Sequence, residues 1–310
     1  MIRAGLLALV LASPAGAEGL AGQALCAAAW AKVSEGLAGL GTNLTAEVTQ
    51  DGDWCSVRAP VLDLEGQYTP DLHVDRLMFR GSALGWIADG STAPEDLEIV
   101  VEGLRMVVQT GNPQMDWLFA AQARPNGIDA QASLSWDAGE KVLRLDVLSV
   151  DFPGDNLVEL SARVDRVDLS SPGAGQMSMT GFVLSEADLR ITTHGLFEGY
   201  LLMPLGTAFL PYEGDMVAAV DALRTDLITV VVNLPESSFS VASKDALLAL
   251  IMELPNPSGE LTMALRAAPG IGPARVAGYA ATGVPDTIAE AAPLFDGVSL
   301  DVDWTHADAP

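Results

Sequence analysis

Three histidines, His73, His194 and His306, are the side chains best suited to proton transfer near neutral pH. They lie far apart along the chain, and no local motif marks any of them as half of a nucleophile–base pair. Gly81-Ser82-Ala83-Leu84-Gly85 carries a serine between glycines, but in second place, whereas a nucleophile elbow needs it third. Lys32, Lys141 and Lys244 follow Ala29, Ala138 and Val241 at the third residue back, so no serine–lysine pairing is spelled out either. Carboxylates gather at Asp51-Gly52-Asp53, at Pro153-Gly154-Asp155-Asn156, and at Asp296, Asp301 and Asp303. None follows the calcium-loop pattern, and short Asp-rich turns are ordinary turn chemistry. Gly270-Ile271-Gly272-Pro273-Ala274-Arg275 lacks the third glycine of a phosphate loop and any strand–helix–strand setting. Six tryptophans, at positions 30, 54, 86, 117, 136 and 304, could line a sugar or lipid cleft, but their spread fits separate core positions better. The expectation is a protein without catalytic residue, metal or cofactor.

The elements that surround these residues say more. Met1–Gly19 combines a positive Arg3, an apolar run from Ala4 to Ala12, the breaker Pro14 and the small-residue pattern Ala15-Gly16-Ala17. This is the pattern of a secretory signal peptide cut after Ala17. No later run reaches the length of about 18 apolar residues that spans a bilayer, so no transmembrane segment is expected in the mature chain. The reading places the protein in the periplasm or outside the cell. Cys26 and Cys55 are the two cysteines, and an even number in an exported chain predicts a disulfide between them. Such a bond would contribute about 3 kcal/mol. The net charge is −25, from 41 acidic and 16 basic residues. That field repels nucleic acid and anionic membrane surfaces, and it keeps a chain with 49% hydrophobic residues in solution.

Residues 18–310 read as one β-rich α+β domain. An Ala-rich helix is predicted within 18–40, followed by a hairpin through Asp51-Gly52 and strands over 61–68, 72–81 and 96–111. Asn112 and Pro113 open a short helix. Hairpins then turn at 137–140 and 153–156, and 177–195 continues as strand. The segment 195–254 changes character to apolar helices. The first is expected to kink at Pro204, the second carries the stripe Met216, Val220, Leu223, Leu227 and Val230, and the third is expected to be capped by Ser243 and stopped by Pro255. Strands at 260–267 and 297–304, with a short helix between, complete the order. Strands mostly follow strands, which implies an antiparallel sheet.

The middle hairpin carries a distinctive signal. Leu143, Leu145 and Val147 are apolar at odd positions, whereas Leu148, Val150 and Phe152 are apolar at even ones. In the second arm Val158, Leu160, Ala162 and Val164 are even, then Val167 and Leu169 are odd. A change of parity turns every later side chain to the other face, so each arm requires a bulge or bend. Two such arms predict a strongly bent ribbon, or one that crosses between packed layers. A turn over 153–157 would pair Val150 with Leu160.

The leader, the strand type seen in "LRLDVLSVDFPGDNLVELSARVDRVDL" and the apolar helices resemble uncharacterised exported envelope proteins of alphaproteobacteria. More remotely they are similar to envelope proteins of the AsmA type, whose curved sheets form hydrophobic grooves. The resemblance covers about residues 57–192 and transfers no catalytic or binding residue. It lacks the AsmA membrane anchor.

The fold expected is α+β: a strongly bent, mainly antiparallel sheet with the helices of 195–254 packed on its concave face. The leading expectation is a non-catalytic exported protein that binds an apolar ligand, such as a lipid, in a groove lined by Phe197, Leu201 and Met203. Alternatives are a structural or partner-binding module of the envelope, and an enzyme in which His73 or His194 stands in a cleft beside a carboxylate.

Overall fold

A computed structural model describes residues 20–37, 46–64, 69–90, 93–275, 277 and 288–307. The signal peptide expected over 1–17, with Ala15 and Ala17, lies outside the described residues. Twelve strands form one bent, open antiparallel sheet. They are β1 (Val48–Asp51), β2 (Trp54–Arg58), β3 (Val61–Leu62), β4 (Pro70–His73), β5 (Arg76–Arg80), β6 (Asp96–Val108), β7 (Ile128–Asp137), β8 (Val142–Phe152), β9 (Asn156–Asp165), β10 (Val183–His194), β11 (Ser258–Ile271) and β12 (Val298–His306). The order across the sheet is β1-β2-β5-β6-β7-β8-β9-β10-β11-β12, with the short β3 and β4 attached beside β6. Helices and strands thus give the α+β class that the pattern predicts.

One end of the sheet carries a compact core. Helix α1 (Gly22–Leu37) and helix α2 (Ala83–Asp89) bury Cys26, Ala29, Trp30, Leu84 and Ala88 against Val48, Cys55, Val57 and Phe79. Cys26 and Cys55 are bonded, with Cα atoms 5.3 Å apart. The bond ties α1 to β2. The sequence reading did not foresee α2. Ser82 begins it, and its hydroxyl accepts from the N–H groups of Glu95 and Asp96 and donates to the Asp96 carboxylate. Gly90 closes it in the left-handed conformation, φ 71°.

The apolar face is continuous across the sheet. Cross-strand pairing aligns Leu148, Leu160, Leu189, Met263 and Val302 in one row, and Val150, Val158, Ile191, Leu261 and Trp304 in the next. The parity change in β8 comes from a bulge: Leu134 faces Leu145 and Ser133 faces Val147, which leaves Asp146 as an extra residue. Leu143, Leu145, Leu148 and Val150 therefore share a face. Ser185 plays the same part in β10, between Leu184 and Glu186. In β9 the parity change falls after the strand, at Arg166, where φ is 65°. The ribbon does not cross between layers, because each slip is absorbed locally and the bulge only bends the strand. The turn also occupies 153–155 and not 153–157, so Phe152 faces Asn156 and Val150 faces Val158 rather than Leu160. Gly154 and Asp155 both take positive φ, which closes the chain in three residues.

Two further boundaries differ from expectation. The strand predicted through 72–81 is split, with β5 pairing to β6 over 98–102 and β4 pairing to it beyond Leu104. Gly103 (φ 67°) forms a bulge between these halves, and its neighbour cannot stay straight across it. The strand expected over 61–68 is described only as the two residues of β3, since 65–68 lie outside the described residues.

The remaining helices are α3 (Pro113–Ala123), α4 (Pro172–Ser178), α5 (Leu202–Phe209), α6 (Met216–Val232), α7 (Val241–Glu253) and α8 (Ile288–Ala291). Asn112 caps α3 as expected, accepting from the N–H groups of Gln114 and Met115. In the apolar segment the irregularity precedes Pro204: a π-helical turn spans Phe197–Leu201. A proline inside the first turn of α5 withholds an N–H from the preceding turn, which widens there. The α6 chain stays helical through its β-branched end to Val232. The cap of α7 is Ser240 and not Ser243. The Ser243 hydroxyl is engaged elsewhere, accepting from the Val302 N–H at 3.1 Å. With the Leu300 N–H donating to the Ser238 carbonyl, this pairs two donors on the outer edge of β12 and obstructs further strand pairing there. The helices extend from that edge, α7 packing against β12 and α6 against α7. Leu148, Leu160, Leu189 and Met263 remain only half-buried.

Candidate functional site

The helices that leave β10 build a cavity. The π turn, α5, α6 and the end of α7 converge around a space of about 330 Å³. Asp215 starts α6 by accepting from the N–H groups of Val217 and Ala218, which fixes the direction in which Leu223 and Leu227 project. Phe197, Leu205 and Phe209 form the facing wall, and Ile251 with Pro255 closes the α7 side. All of these contribute carbon. Arg224 is the one charged residue in the wall. Its Nη2 donates to the Leu254 carbonyl at 2.9 Å and its Nη1 to Asp221 at 3.2 Å. The volume lies near the lower end of the range for small-molecule sites, and the apolar wall suits a hydrocarbon group.

Of the three residues expected to line a groove, Phe197 stands in this wall. Met203 is 73% exposed and borders a shallower groove with Tyr212 and Met216, while Leu201 is 43% exposed and lines neither. The π turn rotates successive side chains away from the spacing of a regular helix, which separates Leu201 from Phe197. Sequence reasoning missed Leu205, Leu223, Arg224 and Ile251 as wall residues. The α6 stripe was the available signal for one of them, Leu223.

A second apolar surface lies over the sheet. Leu160, Leu189, Met263 and Val302 floor an open groove of about 570 Å³ bounded by the start of α7. The opposite face of these strands is polar and carries ion pairs such as Arg190–Glu260 (2.6 Å) and Arg266–Asp188 (2.9 Å).

The residues with chemical potential are not brought together. His73 is on β4, and its Nε2 is buried without a hydrogen-bond partner among the described residues. Burial, reinforced by the Arg105 charge, pushes its pKa down despite Asp71 and Asp75. His194 Nδ1 lies 3.2 Å from the Ser258 hydroxyl. His306, on β12, meets the Glu253 carboxylate at 3.1 Å, and Trp304 Nε1 donates to the other oxygen of that group. Burial raises the Glu253 pKa, but these donors outweigh it and hold the group low, so the trio braces α7 on β12. Gly270 and Gly272 serve close packing: a Cβ at either would strike the backbone of Leu184 or Phe182. No group of three or more metal-ligating side chains occurs among the described residues. Of the tryptophans, Trp86 and Trp136 line one small apolar pocket with Ala83, Leu97 and Leu143, and the other four are not brought to it. Trp30 and Trp136 donate to backbone carbonyls, Trp54 stacks under Arg80, and Trp117 faces solvent.

No helix among the described residues is long and apolar enough to cross a membrane. No family model matches the chain, and no curated protein matches it.

Proposed function

We propose that this chain is an exported, non-catalytic protein that holds an apolar ligand such as a lipid, in the periplasm or outside the cell. The observation that carries the reading is the cleft of about 330 Å³ between α5, α6 and α7, whose lining is almost wholly carbon. Leu205, Leu227 and Phe209 in that lining are 39%, 37% and 64% exposed, and a hydrocarbon ligand would remove this apolar surface from water. The Cys26–Cys55 bond fits an oxidising compartment.

Native mass spectrometry of protein purified from the exported fraction, followed by solvent extraction, tests the proposal. The expected result is a co-purifying apolar molecule that is lost in Leu223→Trp, where the indole fills the space. Protein that carries no such molecule, and takes up none when offered, overturns it. An N-terminus at Glu18 in the same sample checks the leader.

A second reading, an envelope module that docks on a partner, draws on one observation. Met203, Phe209, Tyr212 and Val217 are strongly exposed on one segment, Tyr212 at 99%. Serine substitutions at Met203, Tyr212 and Val217, which stand outside the cavity wall, would abolish envelope association and leave cavity occupancy unchanged.

A further inference from the structure

A helix that is apolar on every side is ordinarily buried, and α5 is not. Over Leu202–Phe209 only Gly206 and Thr207 depart from apolar side chains, yet every residue of the helix except Gly206 is exposed. The stretch from Gly199 to Tyr212 holds no Asp, Glu, Lys, Arg or His, in a chain whose net charge is −25. Tyr200 and Tyr212 stand at its two ends, both exposed, with Glu198 and Glu213 just beyond them. The helix is also lightly held. Its Thr207 hydroxyl donates to the Met203 and Pro204 carbonyls of the helix itself, and no α5 side chain makes a hydrogen bond to another element among the described residues.

An apolar patch of this kind needs a cover, and its chemistry identifies one. A protein partner covers one face of a helix and adds hydrogen bonds around a polar rim. Here apolar side chains point to two sides. Leu205 and Phe209 line the cleft, Met203 borders the shallower groove with Tyr212 and Met216, and Leu202, Gly206 and Leu210 line both. With Thr207 spent on its own helix, no side chain of α5 offers a partner a hydrogen bond. A second copy of the chain brings another strongly negative field. The hydrocarbon of a bilayer asks for neither charge nor hydrogen bond. Eight residues of helix span about 12 Å, well short of a core of about 30 Å, so α5 would lie on a bilayer and not across it. Tyrosines at the ends of an apolar stretch suit the membrane–water boundary. Glu198, Glu213 and Asp215 beside that stretch disfavour anionic head groups.

We propose that α5 and the start of α6 dock on a lipid bilayer of zwitterionic head groups, with Met203, Tyr212, Met216 and Val217 entering its head-group boundary. This rests on the reading of that exposed segment as a docking surface and names its partner. The apolar cleft then lies directly behind the docked helix.

Flotation of the full mature protein with phosphatidylcholine vesicles, and with vesicles in which phosphatidylglycerol replaces part of that lipid, tests the proposal. The protein is expected to float with the first. Phosphatidylglycerol should weaken the binding at low salt, and high salt should restore it. Met203→Ser, Tyr212→Ser and Val217→Ser combined should lower the partition coefficient about a hundredfold, because three large side chains no longer leave water. A polarity-sensitive fluorophore on Tyr212→Cys gives a readout that does not depend on the triple variant folding. Its emission should shift to the blue with phosphatidylcholine vesicles, whereas the same label on Asp51→Cys, on β1 at the far edge of the sheet, should not respond. Cys26 and Cys55 are bonded to each other and take no label. Absence of binding to both kinds of vesicle, binding that the triple substitution leaves unchanged, or a dimer that the same substitutions dissociate overturns the bilayer as partner. If no vesicle is bound and the serine variants still lose envelope association, the docking surface stands and its partner is a protein. None of these results alters occupancy of the cleft, which mass spectrometry measures separately.

Discussion

The backbone N–H of His194 donates to the side-chain oxygen of Asn156 over 2.6 Å. Asn156 is only 3% exposed, and its Nδ2 donates in turn to the Pro153 and Gly154 carbonyls. One amide thus closes the β8–β9 turn and fixes the end of β10, where the helical segment departs. Phe152, at the same turn, packs its ring 4.9 Å from that of Tyr200 in the π turn. Asn156→Ala leaves the His194 N–H and the Pro153 carbonyl short of partners, which should cost about 2–3 kcal/mol. Urea unfolding measures the loss, and exchange of the His194 amide should speed up more than that of amides in β12. An unchanged midpoint would mean that the turn is held without this residue.

Cys26 and Cys55 are 29 residues apart and both belong to the core that unites α1, α2, β1 and β2. Closing a loop of that length contributes about 3–4 kcal/mol through the unfolded chain. Reduction, or Cys26→Ser with Cys55→Ser, should lower the melting temperature and loosen α1 first. The Trp30 indole is buried beside the bond and donates to the Ala46 carbonyl, so its fluorescence should redden before the sheet signal in circular dichroism falls. Simultaneous loss of both signals would mean that α1 and the sheet unfold as one unit.

Alternation made most of the sheet legible from residues alone. The hairpins at 51–52, 137–140 and 153–156, and the long strands β6 to β8, announce themselves because one face is buried and the period is two. The extra residues were legible as a parity change, but not their resolution, since a bulge and a crossover between layers produce the same pattern until the pairing is known. Helix α2 was hidden because its start at Ser82 depends on Asp96, fourteen positions away. The cap of α7 moved to Ser240 because Ser243 is claimed by the edge of β12, another contact invisible to local rules. The cavity was half legible. Apolar excess in 195–254 pointed to the region, but the π turn decides which side chains face inward, and Arg224 reads in sequence as one more polar residue on an amphipathic helix.

Asp168 lies in the loop after β9, and three donors hold it low. Lys141 Nζ approaches to 2.8 Å, and the Ser170 hydroxyl and backbone N–H add 2.6 and 3.1 Å contacts. Its pKa falls from 3.8 to about 2, the Lys141 bond being the largest cause and Ser170 the next. A carboxylate whose folded pKa is depressed stabilises the fold above its unfolded pKa, and that contribution disappears as pH falls through the folded value. Asp168→Asn should therefore be less stable than the parent chain at neutral pH. The difference should close between about pH 4 and pH 2, as the parent carboxylate takes up its proton. Urea midpoints of both proteins across that range check the sign. A gap that persists at the acid end would assign the effect to shape rather than charge.

Asp146 is the extra residue of the bulge across which Leu143, Leu145, Leu148 and Val150 share a face. Its own side chain is exposed. Deleting it leaves those four residues at alternate positions of an uninterrupted strand, so all stay on the apolar face and only the local bend is lost. The deletion should yield folded protein with a cooperative transition, and Asp146→Ala, which removes only an exposed carboxylate, should melt like the parent. An alanine inserted after Asp146 does the opposite. With the Val142–Leu145 half anchored and one residue absorbed by the bulge, Leu148, Val150 and Phe152 turn toward the polar side while Val147 and Ser149 turn inward. That change removes three large apolar side chains from the rows shared with Leu160, Ile191 and Met263. Exposing each costs about 1.5–3 kcal/mol, which together rivals the whole stability of an ordinary domain. The insertion should yield aggregated protein or a chain without cooperative unfolding, and thermal melts of the two variants check the contrast. A soluble insertion variant with a normal transition would show that β8 can re-register against β7 and β9.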